Sequence, residues 1–256
     1  NITPKGFSEN IQEFSPDPKS NPNTIPLKLS KAILSSSDLI HLLPAKLSNA
    51  QLGLLYSAIK NSDIPDFESL ILNLEAEENN IKYTLINIIE YIQKLDLFSG
   101  SPTELTDIIR QGKCSIINLK GVDIDLQEVV VYKLLKDLFE ARKREDIPPF
   151  FVVIEEAQNF IPERNFGEAK SSKIIRQIAS ESRKFGIGLC LVTQRPSRIE
   201  KNALSQCSTQ VILKITNPSD IKSVASSAEG ITPETEKEII NTPIGTAMIV
   251  GVVDLP

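Results

Sequence analysis

The 256-residue sequence has no tryptophan, a single histidine (His41), one methionine and three cysteines. One histidine excludes chemistry built on a His dyad, a Ser-His-Asp triad or a multi-His metal centre. Cys114, Cys190 and Cys207 stand singly in apolar surroundings without C-x-x-C spacing. They read as buried thiols of a reducing compartment, and a structural zinc site is not expected. No apolar run reaches the roughly 18 residues needed to span a bilayer, and Asn1-Ile2-Thr3-Pro4-Lys5-Gly6 does not have the form of a signal peptide. A cytoplasmic location with no membrane partner is the expectation. Positive charge is not in excess either: 28 Lys and Arg face 33 Asp and Glu, a formal net charge of −5. That excludes bulk-charge gripping of nucleic acid but leaves room for a local basic surface. The phosphate-binding pattern GxxxxGK[ST] is absent too. Gly112-Lys113-Cys114-Ser115 resembles its end, but Asp107 stands where the first glycine belongs. The segment also leads into a predicted strand, whereas a phosphate loop opens a helix.

Charge and texture divide the chain. Residues 30–100 hold five Lys, no Arg and nine acids, while all eight arginines lie from Arg110 onward. Arg is the cation suited to phosphate and carboxylate forks, so the second part is where polyanion chemistry is sought. Residues 15–26 carry four prolines and read as a connector. From about 30 to 98 the apolar residues recur at helical spacing: Leu39, Leu42, Leu43 and Leu47; then Leu52, Leu55, Tyr56 and Ile59; then Phe67, Leu70, Ile71 and Leu74; then Leu85, Ile88, Ile89 and Ile92. Four short amphipathic stripes predict a small helical bundle.

After Gly100 short apolar runs alternate with amphipathic stretches. Strands are predicted at 115–119, 150–154, 189–193, 210–215 and 246–250, with helices near 126–144 and 171–185. Near-continuous apolar strands separated by helices indicate a mostly parallel sheet covered on both faces.

In an open α/β sheet, ligands bind beyond the carboxyl ends of the strands. The strand 150–154 ends in Glu155-Glu156-Ala157-Gln158-Asn159. Adjacent strand residues point to opposite sides, so two glutamates can take two jobs: one holds Mg²⁺ through its water shell, the other polarises an attacking water. Taken alone, the pair reads first as an ordinary strand end with solvated acids. The strand 189–193 ends in Gln194-Arg195-Pro196-Ser197, where a Gln can hydrogen-bond a terminal phosphate or merely enter a Pro-induced turn. Between them Arg176, Ser180 and Arg183 share one helix face, with Ile174, Ile178 and Phe185 free to face the sheet. Such an arginine face suits either solvent or a subunit interface, where Arg183 could neutralise charge at a neighbour's nucleotide.

Three segments taken together carry a family resemblance: Phe-Phe-Val-Val-Ile-Glu-Glu-Ala-Gln-Asn-Phe-Ile-Pro (150–162), Glu-Ser-Arg-Lys-Phe-Gly-Ile-Gly (181–188) and Leu-Val-Thr-Gln-Arg-Pro-Ser (191–197). With Ile215–Asp220 and Gly245–Gly251 behind them, they resemble the HerA family, hexameric DNA translocases of archaea similar to FtsK and VirB4 ATPases. The resemblance implies an α/β fold: a RecA-like P-loop NTPase core, its mostly parallel sheet incomplete on the N-terminal side, with an inserted helical bundle. Residues 1–29 are then connector and possible edge strand, 30–100 the bundle, and 101–256 the core from Walker B to the last strands. It further implies Glu155 at the Walker B position holding Mg²⁺ through water, Glu156 as catalytic base, Gln194 as γ-phosphate sensor and Arg183 as trans arginine. Asn217, Asp220 and Arg195 would stand by the nucleotide. The loop 162–173, with Arg164, Lys170 and Lys173, would track DNA phosphates without reading bases.

What the resemblance implies for the parent is ATP and Mg²⁺ as cofactors, double-stranded DNA and a NurA-type nuclease as partners, and a homo-hexamer acting in end resection and repair. Family members carry a strand, phosphate loop and helix before the region where this sequence begins. The sequence is therefore expected to be part of a longer chain, to hold no cofactor tightly, and not to turn over ATP alone. A related FtsK- or VirB4-type motor with another cargo is the second reading, and a non-catalytic assembly module the third.

Overall fold

The structure is a computed structural model that describes residues 10–30, 43, 47–61, 66–94, 97–227 and 231–251. Two units divide at Pro148 and Pro149. The boundary follows the 20-residue helix near 130, so the helical stripes share a unit with the strand near 115.

In the first unit β1 (Ile11–Ser15) pairs in parallel with β2 (Ile25–Pro26). The proline-rich connector runs between them, tied down by the buried Asn21, whose Nδ2 donates to Lys120 O at 2.8 Å and Ser15 Oγ at 3.1 Å. Pro26 sits on the edge strand, the place in a sheet where a missing N–H costs least. A second parallel pair joins β3 (Leu29–Ser30) to β4 (Phe98–Ser99).

Among the described residues, three helices lie between β3 and β4. α1 (Asn49–Lys60) and α2 (Phe67–Glu75) each start with a capping box, Ser48 with Gln51 and Asp66 with Ser69, which satisfies otherwise orphaned N–H groups. α3 (Lys82–Lys94) packs against both. Leu55, Ala58, Phe67, Leu70, Leu74, Leu85, Ile89 and Ile92 are buried, which is the inner side of the last three stripes. Phe67 meets Phe98 edge-to-face, with centroids 5.2 Å apart. Of the first stripe, Leu39 and Leu42 lie outside the described residues; Leu43 is buried.

After α4 (Leu105–Ile108), the Gly112-Lys113 turn enters a strand, β5 (Cys114–Ile117), as the order of motifs requires. β5 is parallel to β1 and makes it the middle of three strands, in the order β2-β1-β5. α5 (Ile124–Lys143) is buried over much of its circumference and carries an internal pair, Lys133 Nζ to Asp137 Oδ1 at 2.8 Å, that satisfies a lysine only 4% exposed.

The second unit pairs β6 (Phe150–Ile154) in parallel with β7 (Ile187–Leu191), Phe150 opposite Ile187 and Ile154 opposite Leu191. The connection is α6 (Ser172–Glu181), continued by a 3₁₀ turn (Ser182–Phe185) and closed by Gly186 at φ 73°. Ile174, Ile175 and Ile178 form the helix's buried side. A short α7 (Lys201–Ser205) leads to β8 (Thr209–Ile212); α8 (Pro218–Ser227) and α9 (Pro233–Asn241) precede β9 (Met248–Gly251). β8 and β9 run antiparallel over a core of Ile212, Val224 and Ile239. At the start of α9, its own backbone N–H and the Thr232 hydroxyl hold the Glu234 carboxyl below its ordinary range.

Two expectations need correcting. The strands are not covered on both faces: Phe151 and Val153 on β6 are 67% and 57% exposed, because strand alternation turns them away from the side on which Ile154 is buried. Nor are the cysteines uniformly buried. Cys114, first residue of β5, is exposed, and Cys190 and Cys207 are half-buried. Burial pushes the Cys207 thiol up, with Cys190 adding to the effect, which keeps it protonated and inert. Among the described residues no helix is long and apolar enough to cross a membrane.

Candidate active site

The tips of β6 and β7 are joined by backbone. Val192 N donates to Ile154 O at 2.9 Å and Ala157 N to Val192 O at 3.0 Å, carrying the parallel ladder one step past both strands. Between these bonds Glu155 and Glu156 stand exposed. Glu156 adopts a left-handed backbone, φ 49° and ψ 43°, before the 3₁₀ turn Ala157–Asn159. That conformation costs an L-residue about 1 kcal/mol and concentrates at functional positions.

The strain accompanies a defined side-chain setting. Gln194 Nε2 donates to Glu156 Oε1 at 3.0 Å, so the second glutamate and the glutamine named from the sequence meet across the strand tips. Gln158 Nε2 donates to the other oxygen, Oε2, at 2.5 Å. The Thr193 hydroxyl donates to Gln158 Oε1 at 2.6 Å and accepts from Arg195 N at 2.9 Å. Sequence reasoning gave Gln158 and Thr193 no role. Their signal was position alone, since each is next to or near a named residue at a strand end.

Glu155 is at the same tip, exposed and outside this network. A single carboxylate suffices for Mg²⁺ held mainly through water and phosphate oxygens, and among the described residues no cluster of three or more metal-binding side chains occurs. The donor set therefore fits a magnesium–phosphate ligand on its carboxylate side. It does not by itself fit a triphosphate, because the GxxxxGK[ST] cradle is absent from the sequence.

The remaining residues take separate positions. Asn217 Oδ1 accepts from Ser219 N at 2.9 Å at the start of α8. Asp220 is 3% exposed, and its Oδ1 accepts from Ser197 N at 3.0 Å and Ser197 Oγ at 2.6 Å. Asp220 thus braces the segment after β7 and Asn217 the first turn of α8, while the Arg195 side chain is exposed. Arg176, Ser180 and Arg183 do not form one free face. Arg176 is paired with Glu200 through bonds of 2.9, 3.0 and 3.2 Å, and Ser180 bonds back to its own helix. Arg183 is in the 3₁₀ turn beyond α6 and is exposed.

The loop after Glu156 is shorter than expected, because Lys173 already belongs to α6. Arg164 and Lys173 are exposed, and Lys170 is half-buried. The loop is laced to the segment after Gln194: Glu163 N donates to Arg198 O at 2.7 Å, Glu200 N to Ile161 O at 3.1 Å, and the Arg198 guanidinium lies 5.3 Å from the exposed Phe166 ring.

Comparison with known proteins first gives the class. The fold is that of the P-loop ATPases: the chain is similar to VirB4 of Thermoanaerobacter pseudethanolicus, with a TM-score of 0.64 over 96% of this chain and 82% of that one. It is also similar to the bacterial conjugative coupling protein TrwB, with a TM-score of 0.59 over 97% and 72%. At 11% and 10% identity these are likenesses of fold. The family comes from sequence. The family model described as "Helicase HerA, central domain" matches residues 1–138, and that of the zonular occludens toxin (Zot) matches residues 103–217. The DNA double-strand break repair helicase HerA of Sulfolobus acidocaldarius is 31% identical over 206 residues, 74% of this chain and 41% of the relative. That of Pyrococcus furiosus is 34% identical over 179 residues, 57% of this chain and 32% of the relative. The chain belongs to the HerA helicase family, and it spans less than half the length of these curated relatives.

Proposed function

We propose that this chain supplies the hydrolytic and sensing part of an ATP-driven motor that moves double-stranded DNA in the repair of broken ends. The single observation that carries the reading is the bond between Glu156 and Gln194 at the tips of two neighbouring parallel strands. It puts a carboxylate that can accept a proton beside an amide that can contact a phosphate. In this reading a phosphate-binding loop from polypeptide outside these 256 residues completes the site. Mg²⁺ offsets the phosphate charge when bound, and Glu155 holds its water shell. Glu156 orients and deprotonates water, and Gln194 contacts the terminal phosphate and responds to its loss. Arg195 is exposed beside Gln194 and is available to the nucleotide, whereas Asp220 keeps that segment in place and Asn217 caps the start of α8. Arg183 reaches a neighbouring subunit's site in a ring of six, and Arg164, Lys170 and Lys173 contact DNA phosphates. A NurA-type nuclease is the partner that would use the moved end.

The test is ATP turnover in the full-length gene product. Glu156→Gln should retain nucleotide binding and lose turnover by at least about 100-fold, the scale of general-base catalysis. In mixed assemblies Arg183→Ala subunits should depress hydrolysis by unmodified neighbours. Near-parental turnover by Glu156→Gln removes the base assignment, and independence of neighbours removes the trans role of Arg183.

A further inference from the structure

We propose that Gln158 and Thr193 are positioning residues that hold the Glu156 carboxylate in its working orientation, through a hydrogen-bonded relay running from Arg195 N to Glu156 Oε2. The inference rests on the reading of Glu156 as the base. A glutamine amide has a donor end and an acceptor end, and its two flipped states differ only in which end meets the neighbour. Here the Thr193 hydroxyl selects one state. Its oxygen accepts from Arg195 N, so its only proton is free to go to Gln158 Oε1. The carbonyl end of Gln158 is thereby anchored, and the NH₂ end is turned onto the Glu156 carboxylate at 2.5 Å. The opposite flip would set a carbonyl oxygen against a carboxylate oxygen and leave the threonine proton unaccepted.

The relay is not needed to hold the strand tips together. Two backbone bonds already do that, from Val192 N to Ile154 O and from Ala157 N to Val192 O. Its effect falls on the carboxylate, whose two oxygens are each held by a different amide. Gln194 is the amide that turns to the phosphate in the proposed cycle. When it does, Oε1 is released toward water while Gln158 still fixes Oε2, so the carboxylate does not swing when it has to work.

The test compares steady-state ATP turnover of Glu156→Gln, Gln158→Leu, Thr193→Val, Thr193→Ser and the Gln158→Leu/Thr193→Val pair, all in the full-length gene product with DNA present. Misorienting a catalytic group costs up to about 100-fold. Gln158→Leu is therefore expected to lower kcat about 10- to 100-fold with KM for ATP changed less than about threefold. Thr193→Val should lower kcat in the same way, and Thr193→Ser, which keeps the hydroxyl, should regain most of it. Because Thr193 acts through Gln158, the double variant should be no slower than Gln158→Leu alone. A merely structural pair would lower the melting temperature and move KM, without the serine rescue or the non-additivity. If Glu156→Gln is inactive while Gln158→Leu and Thr193→Val keep parental kcat, the relay is refuted and the base assignment stands. If Glu156→Gln itself turns over ATP, the base assignment fails and the relay falls with it.

Discussion

Glu156 shows at the scale of one residue why some of this site is readable from sequence and some is not. Two acids at the end of an apolar strand mark a candidate site in any parallel sheet, and Gln194 lies just beyond the end of the neighbouring strand, so this pair follows from the order of elements. Gln158 and Thr193 do not, because their contacts depend on the left-handed turn at Glu156, and nothing in a Glu-Glu-Ala string announces a positive φ. Gly186 is the opposite case, a residue type that declares its backbone. At φ 73° it ends the turn after α6 just before β7, and a Cβ there would meet Pro149 Cβ at 3.2 Å. Gly186→Ala is expected to destabilise the fold by about 1 kcal/mol. Urea denaturation measures it, and an unchanged midpoint would show that the turn relaxes without cost.

At the scale of elements, periodicity located the helices and the strands after Gly100, whose ends differ from expectation by at most three residues, not at all for β6 and by two for β7 at Ile187–Leu191 against 189–193. What periodicity could not supply is partnership between elements distant in sequence. It put Arg176 on an exposed face, whereas the structure pairs it with Glu200, whose side chain is 8% exposed and accepts three bonds from the guanidinium. The tie fastens α6 to the segment that follows β7. Arg176→Ala leaves a buried carboxylate without its cation and is expected to cost about 2 kcal/mol, less than a fully buried pair because the arginine is half exposed. Arg183→Ala, at an exposed position in the turn beyond the same helix, should leave the unfolding free energy within about 0.5 kcal/mol of the parent. Equal midpoints for the two variants would show that the Arg176 tie contributes nothing. The antiparallel closure of β8 on β9 also escaped the sequence, since an apolar run carries no direction.

At the scale of the whole molecule, every residue assigned to hydrolysis, sensing or DNA contact lies in the second unit, while the bundle of α1 to α3 lies in the first. With a net charge of −5, the proposed DNA contact would depend on a few local cations rather than on the whole surface. Replacing Arg164, Lys170 and Lys173 together with glutamine should flatten the plot of log affinity for duplex DNA against log salt. Each lost phosphate contact removes a slope of about 0.9. The exposed Arg164 and Lys173 should account for most of the change, and an unaltered slope would take this loop off the DNA. The same loop has a mechanical property of its own. The backbone of Glu163 is bonded to that of Arg198, and Glu200 to Ile161, so the stretches that follow the two strand tips are stitched to each other through their main chains. In the proposed motor a recoil at Gln194 would pass to Arg164 through this cross-stitching, so the stroke would depend on these two main-chain bonds as well as on the length of either loop.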